Sequence, residues 1–202
     1  KPDKIARPKR ETLDLGQIVG SELLDALAAV LRRDMQELEG IIAHDRQINR
    51  ERLTIEGQLI ALITTQQPMA VDMRLLASLL EIVGEIERMG DYVKGMARIG
   101  VRLGDLGVPP DLAPLLVSMA RQCQDMLRQA LAAFAERDAE TARTIVAMDD
   151  AIDELYHEVF RTVLALGAPD AAQLERSNYV LWIAHDLERT ADRVTNICER
   201  TI

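Results

Sequence analysis

Aromatic residues are nearly missing from this 202-residue chain: one Trp, three Tyr and two Phe, 3% in all. A core with so few rings rests on aliphatic side chains. Hydrophobic residues reach 48%, mostly Ala, Leu, Ile and Val, the composition of helix-on-helix packing. Cysteine is as scarce. Cys123 and Cys198 are too few for a disulfide framework and are expected to stay reduced in the cytosol. Eleven Gly and seven Pro sit in a handful of places, so long uninterrupted elements are expected. No apolar run approaches the length of a membrane-spanning helix, and no signal-peptide pattern is visible. Positive charge is also short: 24 Lys and Arg against 33 Asp and Glu give a net charge of −9. That balance argues against nucleic acid, whose binding needs clustered cations, and suits a protein that attracts cations or basic partner surfaces. The chain opens on Lys rather than Met, as expected of a trimmed or partial chain.

What is present is helical periodicity, written twice. Residues 1–11 form a basic, Pro-punctuated tail carrying Lys1, Lys4, Arg7, Lys9 and Arg10. It reads as a solvated terminus or as an electrostatic tether to an anionic membrane or acidic partner. From Thr12 the pattern predicts helices over 12–33, 35–66 and 68–100. Asp34 is the N-cap of the second, with Glu37 as its box partner, and Pro68 lies in the first turn of the third. Residues 101–111 are Gly- and Pro-rich and form the main linker. The second half, 112–202, replays the first. Leu23, Leu27, Arg33, Asp34, Ile41, Asp45 and Ile48 recur 104 residues later as Leu127, Leu131, Arg137, Asp138, Ile145, Asp149 and Ile152; Pro68, Glu87 and Asp91 recur 101 residues later as Pro169, Glu188 and Asp192. The fold expected is all-α: two tandem three-helix bundles related by an internal repeat and packed lengthwise into one domain.

Carboxylates interrupt the apolar seams. At alternating four- and three-residue steps the third helix reads Met69, Met73, Leu76, Leu80, Val83, Glu87, Gly90, and the last reads Leu174, Ser177, Leu181, Ala184, Glu188, Ala191. The second helix reads Leu38, Ile41, Asp45, Ile48, Arg52, Ile55, Leu59, and its repeat Ala142, Ile145, Asp149, Ile152, Tyr156, Val159, Val163. Each seam acid has a companion four residues on, on the same helical face: Asn49, Asp91, Asp153 and Asp192. With 33 acids in the chain, several such pairs arise by chance. Recurrence at matching seam positions is what gives these weight. A desolvated carboxylate must be solvated at a bundle edge, paired with a cation such as Arg88 or Arg189, or bound to a metal. His157, continuing the Asp149–Asp153 face, and His185, one turn before Glu188, would favour Fe, Mn or Zn over Mg or Ca. Neither has a histidine counterpart in the first half.

The doubled pentapeptides Glu87-Arg88-Met89-Gly90-Asp91 and Glu188-Arg189-Thr190-Ala191-Asp192 resemble the PhoU family of phosphate-homeostasis regulators. So do Asn196-Ile197-Cys198-Glu199, the stretch Gln67-Pro68-Met69-Ala70-Val71-Asp72-Met73-Arg74, and the acidic positions Asp45 to Asn49 and Asp149 to Asp153. The resemblance covers nearly all of residues 12–202. It implies two three-helix bundles with pseudo-twofold symmetry and no catalysis. It implies Glu/Asp-x-x-x-Asp motifs that in some members bind multinuclear iron or other divalent-metal clusters, so iron is expected here, with Mn, Zn or Mg as alternatives. It also implies repression of the phosphate-starvation response by coupling the phosphate ABC transporter's ATPase to a phosphate-sensing histidine kinase at the cytoplasmic face of the membrane. Whether this chain forms a homodimer stays open.

The sequence departs from the family pattern at three places. The basic tail replaces the usual opening turns of the first helix. Lys94 adds a positive charge beside Asp91, and Asn49 stands where the second half has Asp153. The second-half set Asp149, Asp153, Glu188 and Asp192 is therefore the stronger metal site. A di-metal carboxylate enzyme would need Glu-x-x-His from each of two helices, and here His185 precedes Glu188. A histidine phosphotransfer module, suggested by Ala184-His185-Asp186-Leu187-Glu188-Arg189, would have to act as a shuttle, since no ATP-binding domain accompanies it.

Overall fold

A computed structural model describes residues 3–202. The order is α1 (Asp3–Arg32), α2 (Met35–Gln66), α3 (Ala70–Leu103), a short 3-10 turn (Gly104–Leu106), α4 (Ala113–Glu136), α5 (Ala139–Val146), α6 (Asp149–Leu166) and α7 (Ala171–Thr201). No strand occurs among the described residues. α1–α3 form one antiparallel bundle, and α4 with α5–α6 and α7 form the second. The two join lengthwise along α1–α4 and α3–α7. One continuous aliphatic core runs through both, from Leu15, Leu23 and Leu38 to Ile152, Ile183 and Val194.

The repeat is visible in the backbone. Arg33 and Arg137 both adopt the left-handed region, φ 59° in each, a conformation that non-glycine residues enter rarely and that ends a helix. The next residue caps the following helix. Asp34 accepts from the Glu37 backbone N–H at 3.0 Å, and Asp138 accepts from those of Glu140 and Thr141 at 3.1 and 3.0 Å. Glu37 does not reach back as a box partner; its carboxylate pairs with Arg32. In the connection after α3, Gly107 is obligatory. Its φ is +59°, and a Cβ there would lie 2.6 Å from the Arg33 guanidinium. Its carbonyl accepts from Arg176 Nε at 2.9 Å, tying the connection to α7.

Four features differ from the sequence-based expectation. Residues 3–11 are not a solvated tail but the opening turns of α1. Ile5 is buried, Lys9 Nζ donates to the Ala135 carbonyl at the end of α4 (2.8 Å), and Arg7 pairs with Glu11. Of the described basic residues of this segment only Lys9 is partly buried, its stem packing while its head finds a carbonyl; Lys4, Arg7 and Arg10 stay exposed on the helix. Lys1 lies outside the described residues. Second, the helix expected through Asp149 breaks at Ala147–Met148, which gives Asp149 and Asp150 a helix N-terminus whose partial positive charge favours acids. Third, α3 begins at Ala70, so Pro68 precedes it rather than opening it. Fourth, the outer ends of two seams are exposed: Met69 is 80% accessible, and Met73 and Leu174 are also exposed.

Candidate functional site

The seam positions put the acids where the periodicity placed them. Along α2, Leu38, Ile41, Ile48, Ile55 and Leu59 are buried and Asp45 is buried among them, 9% accessible. Glu87 and Glu188 are half-buried on α3 and α7, and Asp149 is half-buried at the start of α6. Each half thus gathers its own acids, and the two clusters are balanced differently.

In the first half the cation is a side chain. Lys94 Nζ lies 2.7 Å from Asp45 Oδ2 and 2.9 Å from Asp91 Oδ1. Asn49 donates to the Asp45 carbonyl and carboxylate at 3.3 and 3.4 Å. Arg52, paired with Glu56 at 2.7 Å, adds its charge to Glu87. Burial and the neighbouring Asp91 charge still push the Glu87 carboxyl upward. Arg88, expected as a partner of this pair, turns instead to Glu85 (2.8 Å). One contributor was not foreseen. Glu22 on α1 bonds His44 Nδ1 at 2.8 Å and lies close enough to Asp45 to feel its charge. Burial raises its pKa, and His44 opposes the shift. Only tertiary packing brings α1 to this edge, so no local pattern announced it.

In the second half no Lys or Arg among the described residues forms an ion pair with the set, although the Arg189 charge opposes the shift at Glu188. Burial, then the charges of Asp153, Asp192, Glu188 and Asp150, push the Asp149 carboxyl up to about 6. Its Oδ1 is buried with no hydrogen-bond partner. Burial and the charges of Asp192 and Asp153 likewise raise Glu188. Arg189, the other expected partner, reaches across to α3, where its Nη2 lies 3.4 Å from the Tyr92 hydroxyl. His185 is exposed, with Nδ1 3.7 Å from Glu188 Oε2, and His157 is exposed beside Tyr156. Among the described residues, no three His, Cys, Asp or Glu side chains are already drawn together as a metal-holding group.

The donor chemistry nonetheless separates the halves. Asp149, Asp153, Glu188 and Asp192 supply hard oxygens, mutual repulsion and one orphaned buried oxygen, which a cation would satisfy together. The residues Asp45, Asn49, Glu87 and Asp91 do not fit a metal in the same way, because Lys94 already occupies the place of the cation. The cysteines are not donors: both are free and buried, and burial pushes the Cys198 thiol up to about 11.

The PhoU domain model matches residues 12–100 and again 116–201, one match for each bundle. The chain belongs to the PhoU domain family. It is 29% identical over 197 residues to the phosphate-specific transport system accessory protein PhoU homolog of Caulobacter vibrioides, covering 98% of this chain and 86% of that protein. It is 32% identical over 190 residues to the Streptococcus pneumoniae homolog of the same description, covering 94% and 88%. In three dimensions it resembles the crystal structure of PhoU from Pseudomonas aeruginosa, with a TM-score of 0.92 and 27% identity over 100% of this chain and 96% of that one. Among the described residues no helix is long and apolar enough to cross a membrane.

Proposed function

We propose that this chain is a cytoplasmic regulatory adaptor of phosphate homeostasis, acting by protein–protein contact rather than catalysis. The observation that carries this reading is alignment over almost the whole chain with proteins described as phosphate-specific transport system accessory proteins. Its partners on this reading are the ATPase of the phosphate transporter and the phosphate-sensing histidine kinase, and its output is restraint of phosphate uptake and of the starvation response. Co-purification of the chain with the ATPase from phosphate-replete cells tests the partner assignment. Loss of the gene with no rise in phosphate-starvation reporter activity would refute the regulatory one.

The reading includes a divalent or trivalent metal, iron first, at Asp149, Asp153, Glu188 and Asp192. The metal would supply positive charge to a carboxylate set near which only Arg189, turned toward Tyr92, now brings any. The protein's part is to hold Asp149 at the α6 N-terminus and Glu188 on the facing turn of α7, half-shielded from water so that the oxygens favour a cation. Metal analysis after chelator-free purification, beside Glu188→Ala/Asp192→Ala, is the test. Equal metal content in the two proteins would remove the metal from the proposal.

A further inference from the structure

The α3–α7 seam carries its own internal control. The two helices run antiparallel, with Glu81 facing Arg200, Glu85 facing Asn196, Tyr92 facing Arg189 and Gly95 facing Asp186. The 101-residue repeat maps the first two pairs onto the far side of the seam, where Glu81–Arg200 becomes Trp182–Ile99 and Glu85–Asn196 becomes Asp186–Gly95. On the near side the positions close on themselves. Arg200 Nε meets Glu81 Oε2 at 2.5 Å; Glu85 takes Asn196 Nδ2 at 3.0 Å, Arg193 at 3.5 Å and Arg88 at 2.8 Å. On the far side the same positions leave a pocket of about 380 Å³.

The pocket combines two guanidiniums, an indole and a carboxylate. Arg98 and Arg102 lie one turn apart on α3, a like-charge spacing that costs helix stability. In a chain with a net charge of −9, neither has a carboxylate partner among the described residues. Trp182, 46% accessible, forms an apolar wall with Ile99 and is held edge-on by Tyr179, ring centroids 6.0 Å apart. The floor is Gly95 with the Asp186 carboxylate, which accepts no hydrogen bond from any described residue and would lie 2.8 Å from a Cβ at position 95.

The geometry points to a binding site for a nucleoside di- or triphosphate whose ring carries an amino group. Two guanidiniums a helical turn apart match neighbouring phosphoryl groups, to which Arg donates in pairs. The indole offers a stacking face for a base. The half-buried Asp186 oxygen is an acceptor awaiting an N–H donor, which an exocyclic amine provides. The volume lies within the range of small-molecule sites. His185, which also lines the pocket, lies 3.7 Å from Glu188 Oε2, so the pocket adjoins the Glu188 cluster; the inference draws on Arg98, Arg102, Trp182 and Asp186 and does not depend on the metal.

Trp182 is the chain's single tryptophan, so its fluorescence reports on this pocket alone. The test titrates the full chain with ATP and ADP, with adenosine, tripolyphosphate and a Glu-rich peptide as comparators. Saturable quenching by ATP and ADP is expected, with adenosine and tripolyphosphate each binding more weakly. Arg98→Ala/Arg102→Ala, at two exposed positions, should weaken ATP roughly tenfold or more. Calorimetry on Trp182→Phe should show weaker but measurable ATP binding. No saturable response at millimolar nucleotide, or an unchanged Kd in the double variant, would overturn the site. Tripolyphosphate binding as tightly as ATP would overturn recognition of the ring. Tighter Arg-dependent binding of the peptide would instead make this face a dock for an acidic protein segment.

Discussion

Asp186 lies over Gly95 at the place where, across the repeat, Glu85 accepts a hydrogen bond from Asn196. One half of the seam thus has a carboxylate with a donor, and the other has a carboxylate with bare backbone beneath it. Gly95→Asn should restore the missing donor. A new Cβ would press on Asp186 Oδ2, the free end of a side chain that can rotate to accept from the amide. Removing a mid-helix glycine and adding one hydrogen bond should raise stability by about 1 kcal/mol, a rise in Tm of roughly 2–4 °C for a chain of this size. A fall in Tm would mean that Asp186 cannot move and that the packing at Gly95 is steric.

Burial alone pushes the Asp186 carboxyl up to about 7, far above the usual carboxylate range. Between the unfolded value of 3.8 and about 7, the folded state holds a proton that the unfolded state has lost. This stability is therefore complete at low pH and disappears as pH rises through about 7. Asp186→Asn keeps the shape without the charge. Thermal melts in chelator should show the variant more stable than the parent at pH 8, with the advantage shrinking steadily toward pH 5 and vanishing only below the unfolded value of 3.8. A constant difference across that range would mean that the charge is not the cause.

The buried stripe of α2 was readable because its aliphatic residues recur at helical spacing, and Asp45 announced itself by interrupting that stripe. The Asp34 cap was readable for a local reason too, and the repeat carries it to Asp138. What escaped was long-range or subtle. Lys94 reaches Asp45 across 49 positions, and no pattern within α3 says that it points there rather than to solvent. Arg88 and Arg189 stood next to the acids in sequence, but a neighbour one position away on a helix faces elsewhere, and both bind residues of other turns. The break at Ala147–Met148 contains no Gly or Pro; its one signal was the consecutive pair Asp149–Asp150, which suits a helix start. The basic opening turns were misjudged on composition, since Lys9 is fixed by a carbonyl that only the fold supplies.

Lys94 is the built-in cation of the first cluster, and its removal should expose the repulsion that it masks. Lys94→Ala leaves Asp45, largely buried, without its charge partner and leaves Asp91 facing Glu87. A loss of about 2–4 kcal/mol is expected, visible as a drop in Tm of roughly 5–10 °C. Asp45→Asn on this background should recover part of the loss, because the amide carries no charge to desolvate. Millimolar Mg²⁺ or Mn²⁺ should also recover part of it, by replacing an ammonium with an ion. If neither rescues, the loss lies in the packing of the lysine stem.

The second cluster should respond to neutralisation with opposite signs in the presence and absence of metal. Without metal, Asp149, Asp153, Glu188 and Asp192 repel, and burial compounds the cost at Asp149 and Glu188. Glu188→Gln/Asp192→Asn removes two of the charges at nearly constant shape and should raise Tm in chelator by a few degrees. With iron or manganese present the order should reverse. The parent gains about 2.7 kcal/mol at a metal concentration one hundred times Kd, and the variant, lacking two charged donors, gains much less. Crossing melting curves would identify the cluster as a metal site whose apo form is strained by its own ligands. A variant more stable than the parent under both conditions would identify it as a solvated acidic edge.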